Sequence, residues 1–231
     1  VVSDSRTYYQ IEDEKQLRAG MKVIFAGKHG DVWATMGVQN TNNRKGNDSV
    51  ISSSQKYIST VQATEFNLGG EEGQWTFEES GKYLCAASGG NYLKGQTTLS
   101  DAGKWAVEFA DGVASVVAND TSFRNVMQYN CTSTSNLFAC YASASQSDVY
   151  LFAYAQDIAD AFVSNFHAKL TEECEALNVQ SSTWSDWAAS YGLMNAAAKE
   201  LVKSGLESEE KTGDYAALYS QYQYIVETRY H

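Results

Sequence analysis

The sequence predicts an α+β protein built as two segregated modules: an N-terminal all-β barrel or sandwich over residues 1–154, then a small three- to four-helix bundle over 155–231. Three observations carry this. Up to about residue 154, short apolar or aromatic runs alternate with Gly, Asn, Asp and Ser clusters, the mark of consecutive strands joined by tight turns. After Tyr154 the period changes, and Ile158, Phe162, Phe166 and Leu170 recur every four residues, as on an amphipathic helix. The chain also carries 15 Tyr, 9 Phe and 5 Trp against 4 Met, a balance that suits pleated, half-buried surfaces. With 231 residues, 43% of them hydrophobic, each module has enough material for its own core.

The expected strands are Lys22–Ala26, Asp31–Met36, Tyr57–Val61, Gln74–Glu78, Lys82–Ala87, Lys104–Phe109, Val113–Ala118, Val126–Asn130, Leu137–Ala142 and Val149–Phe152. Asp111-Gly112 is the strongest hairpin signal, because Asp-Gly suits a type I′ turn. Before it, Trp105, Val107 and Phe109 alternate onto one face. Many short strands in succession imply closure into a barrel or sandwich, which removes exposed edges. A faint echo, Gly73-Gln-Trp75-Thr-Phe77 against Gly103-Lys-Trp105-Ala-Val107, is compatible with duplicated hairpins in a barrel or trefoil-like shell and equally with chance. The polar segment Gln39–Gln55 reads as a long surface loop.

In the second module, Thr183-Trp-Ser-Asp186 resembles a capping box, and Trp184, Trp187 and Tyr191 share one helical face behind it. Leu193, Ala197 and Leu201 continue a helix that stops at Gly205, and Tyr215, Leu218, Tyr222 and Ile225 mark a last one. None of these helices buries its stripe alone, so together they make a bundle.

The net charge of −11 disfavours nucleic acid and anionic membrane surfaces. No stretch approaches the ~18 apolar residues that insert a helix into a bilayer. Proline is absent, which excludes Pro-rich linkers. The first residue is Val1 rather than Met, as in a processed or trimmed chain. The cysteines are Cys85, Cys131, Cys140 and Cys174, with no CxxC spacing. A hairpin turn centred on Thr134 pairs Cys131 with Leu137 and sends Cys140 to the opposite face, so buried free thiols are expected.

The machinery of catalysis is sparse. His29, His167 and His231 fall into no HxH or HExxH spacing, so neither a metal site nor a cofactor is expected. GxSxG and P-loop motifs are absent. Paired carboxylates would support a glycoside hydrolase, but Glu71, Glu72, Asp111, Glu172, Glu173, Glu209 and Glu210 fall on turns or helix surfaces. Aromatic side chains beside amides and cations suit a glycan-holding surface; the candidates are Trp33, Arg44, Tyr92, Arg124, Asn125 and Tyr129. The N-terminal segment, with Val1, Val2, Tyr8 and Tyr9, is a candidate for strand addition to a neighbouring molecule.

Residues 7–154 resemble an uncharacterised β-module appended to secreted multidomain proteins of anaerobic gut-type bacteria. The likeness lies in Leu17-Arg-Ala-Gly20-Met-Lys-Val-Ile24, Gly81-Lys-Tyr-Leu-Cys-Ala-Ala-Ser88, Asn91-Tyr-Leu93, Lys104-Trp105, Asp111-Gly-Val-Ala114, Leu137-Phe-Ala-Cys-Tyr141 and Asp148-Val-Tyr-Leu151. Residues 160–230 resemble a helical module of similar proteins through Ala161-Phe162, Trp184, Tyr191 and Tyr222-Gln-Tyr-Ile-Val226. The resemblance implies secretion and a non-catalytic role in binding or scaffolding. It also places an aromatic residue where Cys85 stands, which leaves a disulfide there open. The expected function is therefore that of a non-catalytic secreted or cell-surface protein, acting as an assembly subunit or an accessory binding module. Its expected partners are copies of itself, other surface proteins or a glycan. A carbohydrate-binding accessory of a hydrolase and a carboxylate-based glycoside hydrolase are the alternatives.

Overall fold

The computed structural model describes residues 6–49, 57–60, 62–87, 89–122 and 124–158. Among these residues fourteen strands join in one sheet. They are β1 (Arg6–Gln10), β2 (Lys22–His29), β3 (Val32–Asn40), β4 (Asn43–Ser49), β5 (Tyr57–Thr60), β6 (Phe66–Gly69) and β7 (Thr76–Glu79). The rest are β8 (Lys82–Ala87), β9 (Tyr92–Gln96), β10 (Trp105–Ala110), β11 (Val113–Ala118), β12 (Val126–Cys131), β13 (Asn136–Tyr141) and β14 (Val149–Tyr154).

Seven strands pair in the order β14, β11, β12, β13, β4, β3, β2, and β2 pairs back onto β14 to close a barrel. The closing seam runs antiparallel from Val149↔Gly27 to Ala153↔Val23. Two strands at the seam share an edge between two partners. One edge of β14 meets β11 at Val149 and β1 from Phe152 to Tyr154, while β2 meets β3 from Ala26 to His29 and β6 at Lys22 and Val23. These forks lead the β1/β5 pair and the run from β6 to β9 off the ring.

Strand alternation sorts the seam into two faces. Phe25 and Leu151 face the barrel interior, where Phe25 meets Phe66 and Phe77 edge-on, with ring centroids 5.9 and 4.8 Å away. On the other face Ile24, Ala26 and Phe152 cluster with Tyr8, Ile58 and Ala63. Trp105 is fully buried and donates its indole N–H to Leu84 O at 3.0 Å, and its backbone exchanges two hydrogen bonds with Trp75 at 2.9 and 2.8 Å. That bridge ties β10 to the start of β7.

The expected α+β class is corrected. The described residues are all-β, with two 3-10 turns and one short helical stretch at 155–158. The helices expected beyond it lie outside the described residues. The chain divides into two compact units, Val1–Tyr154 and Ala155–His231.

The expected surface loop Gln39–Gln55 is also corrected. Its first part is a hairpin, in which β3 runs on to Asn40 and turns through Thr41-Asn42 into β4. Thr41 takes φ 51° there. The residues of β4 are all polar or glycine, so no hydrophobic alternation announces it. Its ladder partners on both sides, β3 and β13, supply the order.

In the β12–β13 hairpin Cys131 pairs with Asn136 rather than Leu137, one residue from the expected register. Cys140 then falls on the same face, four residues along, about 13 Å away at strand rise. That is still beyond disulfide reach. Cys85, Cys131 and Cys140 are free thiols, the first and last fully buried.

Candidate binding site

Arg44 sits on β4 opposite Phe138, turned inward by strand alternation, and is only 3% exposed. A bulge in β3 between Met36 and Gln39 explains how a guanidinium is accommodated there. It places the Gly37 carbonyl where Arg44 Nε donates to it at 2.9 Å. A Cβ at Gly37 would lie 2.4 Å from Asn47 Nδ2, so a side chain there would have to move that amide off the Gln62 carbonyl it donates to. Arg44 Nη2 donates to Glu79 Oε2 at 3.1 Å, and the guanidinium carbon lies 5.2 Å from the centre of the Phe66 ring. Burial pulls the Arg44 pKa down from its ordinary value, and the Glu79 carboxylate pushes it back up. Among the described residues Nη1 has no hydrogen-bond partner.

Glu79 ends β7 and faces Lys82 across a two-residue turn. Ser80 and Gly81 take φ 51° and 74°, as a type I′ turn requires. A cavity of about 320 Å³ opens here, lined by Gln39, Arg44, Phe66, Glu79, Ser80, Lys82, Leu84 and Gly95. Gln39 is a wall rather than a free ligand group. Its Nε2 donates to the carbonyls of Asn43 and Leu93 at 2.9 and 3.2 Å, and its Oε1 accepts from Gly95 N at 3.2 Å. These bonds stitch the β3–β4 hairpin to β9. The cleft thus offers one fixed buried cation, one exposed cation, one half-buried carboxylate, a hydroxyl and two apolar flanks.

Of the six residues expected to bind, only Arg44 lines this cleft. Trp33 is half-buried against Tyr150, ring centroids 4.8 Å apart, with Lys28 Nζ 5.3 Å from its ring centre. Tyr92 lies under Lys94, whose Nζ is 5.4 Å from the ring centre. Arg124 reaches Asn91 at 3.4 Å, beside Tyr92 in sequence. Asn125 donates to Ala118 O at 2.8 Å and has a structural part. Tyr129 is fully buried inside the barrel and is core, not platform. Of the assembly candidates, Tyr8 and Tyr9 are buried in β1, whose two edges are taken by β14 and β5 of the same chain. Val1 and Val2 lie outside the described residues.

Glu79, Ser80, Lys82 and Gly95 were not legible as site residues. The signal was the Ser-Gly pair between two strand patterns, which announces a turn but not what faces it.

No known protein family matches the chain, and neither does any curated protein. Solved structures give partial likenesses. A GlcNAcα1-4Gal releasing endo-β-galactosidase from Clostridium perfringens is 11% identical, over 58% of this chain and 32% of that one, with a TM-score of 0.42. Lysenin in complex with phosphocholine is 13% identical over 63% and 46%, at 0.38. Cry35Ab1 is 9% identical over 59% and 36%, at 0.42. The chain spans less than half the length of each, and at these TM-scores the likenesses say nothing about its ligand.

Proposed function

We propose that this chain is a non-catalytic binding module of a secreted or cell-surface protein, and that the Arg44 cleft is where it takes a saccharide unit. The observation that carries this is the guanidinium itself. It is buried, locked by Gly37 O and Glu79, and still has a donor to give. Burying a cation is costly unless its hydrogen bonds are met. A donor held ready in a preformed cleft fits ligand recognition, because it need not be ordered on binding. The cavity volume is at the small end of the ~300–1,000 Å³ usual for ligand pockets and suits a single ring. Its one carboxylate, Glu79, is engaged with Arg44, which favours holding a ligand over two-carboxylate hydrolysis.

The test is a glycan array followed by titration calorimetry of any hit, on the intact chain and on Lys82→Ala. Saccharide binding that weakens in the variant is expected. A silent array overturns the reading.

Self-assembly is the second reading. β5 ends the sheet path, and beyond β1 it has no strand partner among the described residues. Light scattering over a concentration series tests it, and a strictly constant monomer mass removes it.

A further inference from the structure

We infer that the saccharide unit taken by the cleft carries a carboxylate, as a uronic acid does. This rests on the binding reading above and goes on to name the ligand class.

Arg44 lines the cleft with a side chain only 4% exposed, and its Nη1 makes no hydrogen bond among the described residues. A neutral sugar would offer it one hydroxyl. A carboxylate offers a charged acceptor, and such charge-assisted bonds are roughly twice as strong as neutral ones. Lys82 adds a second positive charge on the same rim, with no ion-pair partner among the described residues. Its stem is given room by Gly95: a Cβ there would lie 3.2 Å from Lys82 Cβ and 3.4 Å from Cδ. The absence of a side chain on β9 thus leaves the stem of the cation on β8 its room.

Set against Glu79, the two cations leave the cleft one unit positive, in a chain whose formal charge is −11. One negative charge balances it. Glu79 then accepts hydrogen bonds from hydroxyls, Ser80 adds a hydroxyl of its own, and Phe66 and Leu84 flank the C–H side of a ring. A free sulfate uses the two cations but brings no hydroxyl for Glu79 and no ring face for Phe66 and Leu84.

The experiment is calorimetry on the intact chain in low-salt buffer with glucuronate, galacturonate, glucose, galactose and inorganic sulfate as separate ligands. A uronate should bind at least about tenfold more tightly than its neutral counterpart and more tightly than sulfate. Two variants locate the effect, with circular dichroism confirming their fold. Lys82→Gln should lower uronate affinity severalfold and flatten its salt dependence. Gly95→Ala should lower it by displacing the Lys82 stem with no change of charge. Equal binding of neutral and acidic sugars overturns the carboxylate inference and leaves the saccharide cleft standing. Sulfate binding as tightly as a uronate overturns the inference in favour of a simple anion site. Failure of every saccharide overturns both readings.

Discussion

Gly27 of β2 lies against the ring of Tyr129 on β12, across the barrel interior. A Cβ built on Gly27 would sit 2.3 Å from Tyr129 Cγ. The ring cannot retreat, because Phe138 stacks beside it with centroids 4.9 Å apart and its hydroxyl donates to Asn136 Oδ1 at 2.7 Å. Gly27→Ala is expected to destabilise the protein by about 1–3 kcal/mol through overpacking. Tyr129→Phe keeps the ring and should cost only about 1 kcal/mol for the lost hydrogen bond. Urea denaturation of both variants checks the ranking, which reverses if the ring has room to move.

The Ser80-Gly81 turn sets the rim of the cleft. Ser80 holds a left-handed conformation that glycine or asparagine adopts more readily, with φ 51°. Ser80→Asn should therefore raise stability by about 0.5 kcal/mol, whereas Gly81→Ala, at φ 74°, should lower it by about 1 kcal/mol or more. Thermal melts of the two variants should move in opposite directions.

Most strands with hydrophobic alternation were legible, and the all-polar β4 and three short strands were not. Val113–Ala118 and Lys82–Ala87 stand at their expected bounds, and Asp111-Gly112 makes the expected turn with φ 51° and 80°. β1, β4, β6 and β9 were missed as strands of this sheet. β4 has no apolar residue, β6 and β9 are four and five residues long, and each is held by its neighbours rather than by its own pattern. Arg44 was legible as an unusual cation, but its burial depends on a bulge in another strand. The aromatics chosen as platforms were ambiguous for a physical reason: a ring beside polar residues reads the same whether it faces solvent or, like Tyr129, the barrel interior.

Alkaline pH should unfold the barrel early. Burial pushes the Tyr9 hydroxyl up to about 12, with Tyr57 adding to it, and the Cys85 thiol up to about 11. Tyr8, Tyr129 and Cys140 are raised further, chiefly by burial, and Tyr8 also by its hydrogen bond to Glu65. Each group's folded pKa exceeds its unfolded value, so above about pH 9 the unfolded chain holds fewer protons than the folded one. This contribution is complete below pH 9 and is lost as pH rises toward 12. Tm measured from pH 7 to 12, with tyrosinate absorbance at 295 nm, should show melting and ionisation falling together. Independent ionisation of all tyrosines near pH 10 without unfolding would contradict it.

Thiol reactivity should divide by burial. Cys131 is half-buried, while Cys85 and Cys140 are fully enclosed. Iodoacetamide at pH 8 should label Cys131 in the native protein and reach the other two only as fast as the barrel opens. Peptide mapping reads this directly. A Cys85 that resists alkylation in denaturant until reductant is added would instead reveal a disulfide.

The seam that closes the barrel joins residues 23–27 to residues 149–153. A chain made or threaded from its N-terminus has β2 in hand more than a hundred residues before β14, its seam partner, follows. Until then Phe25 and its neighbours have no finished wall to enclose them, and β2 presents an unpaired edge to whatever is nearby. Strands whose partners lie so far along the chain order slowly. The interval before β14 arrives is when this protein most needs a holdase, and a ribosome stalled just short of residue 149 would display a sticky, half-built sheet.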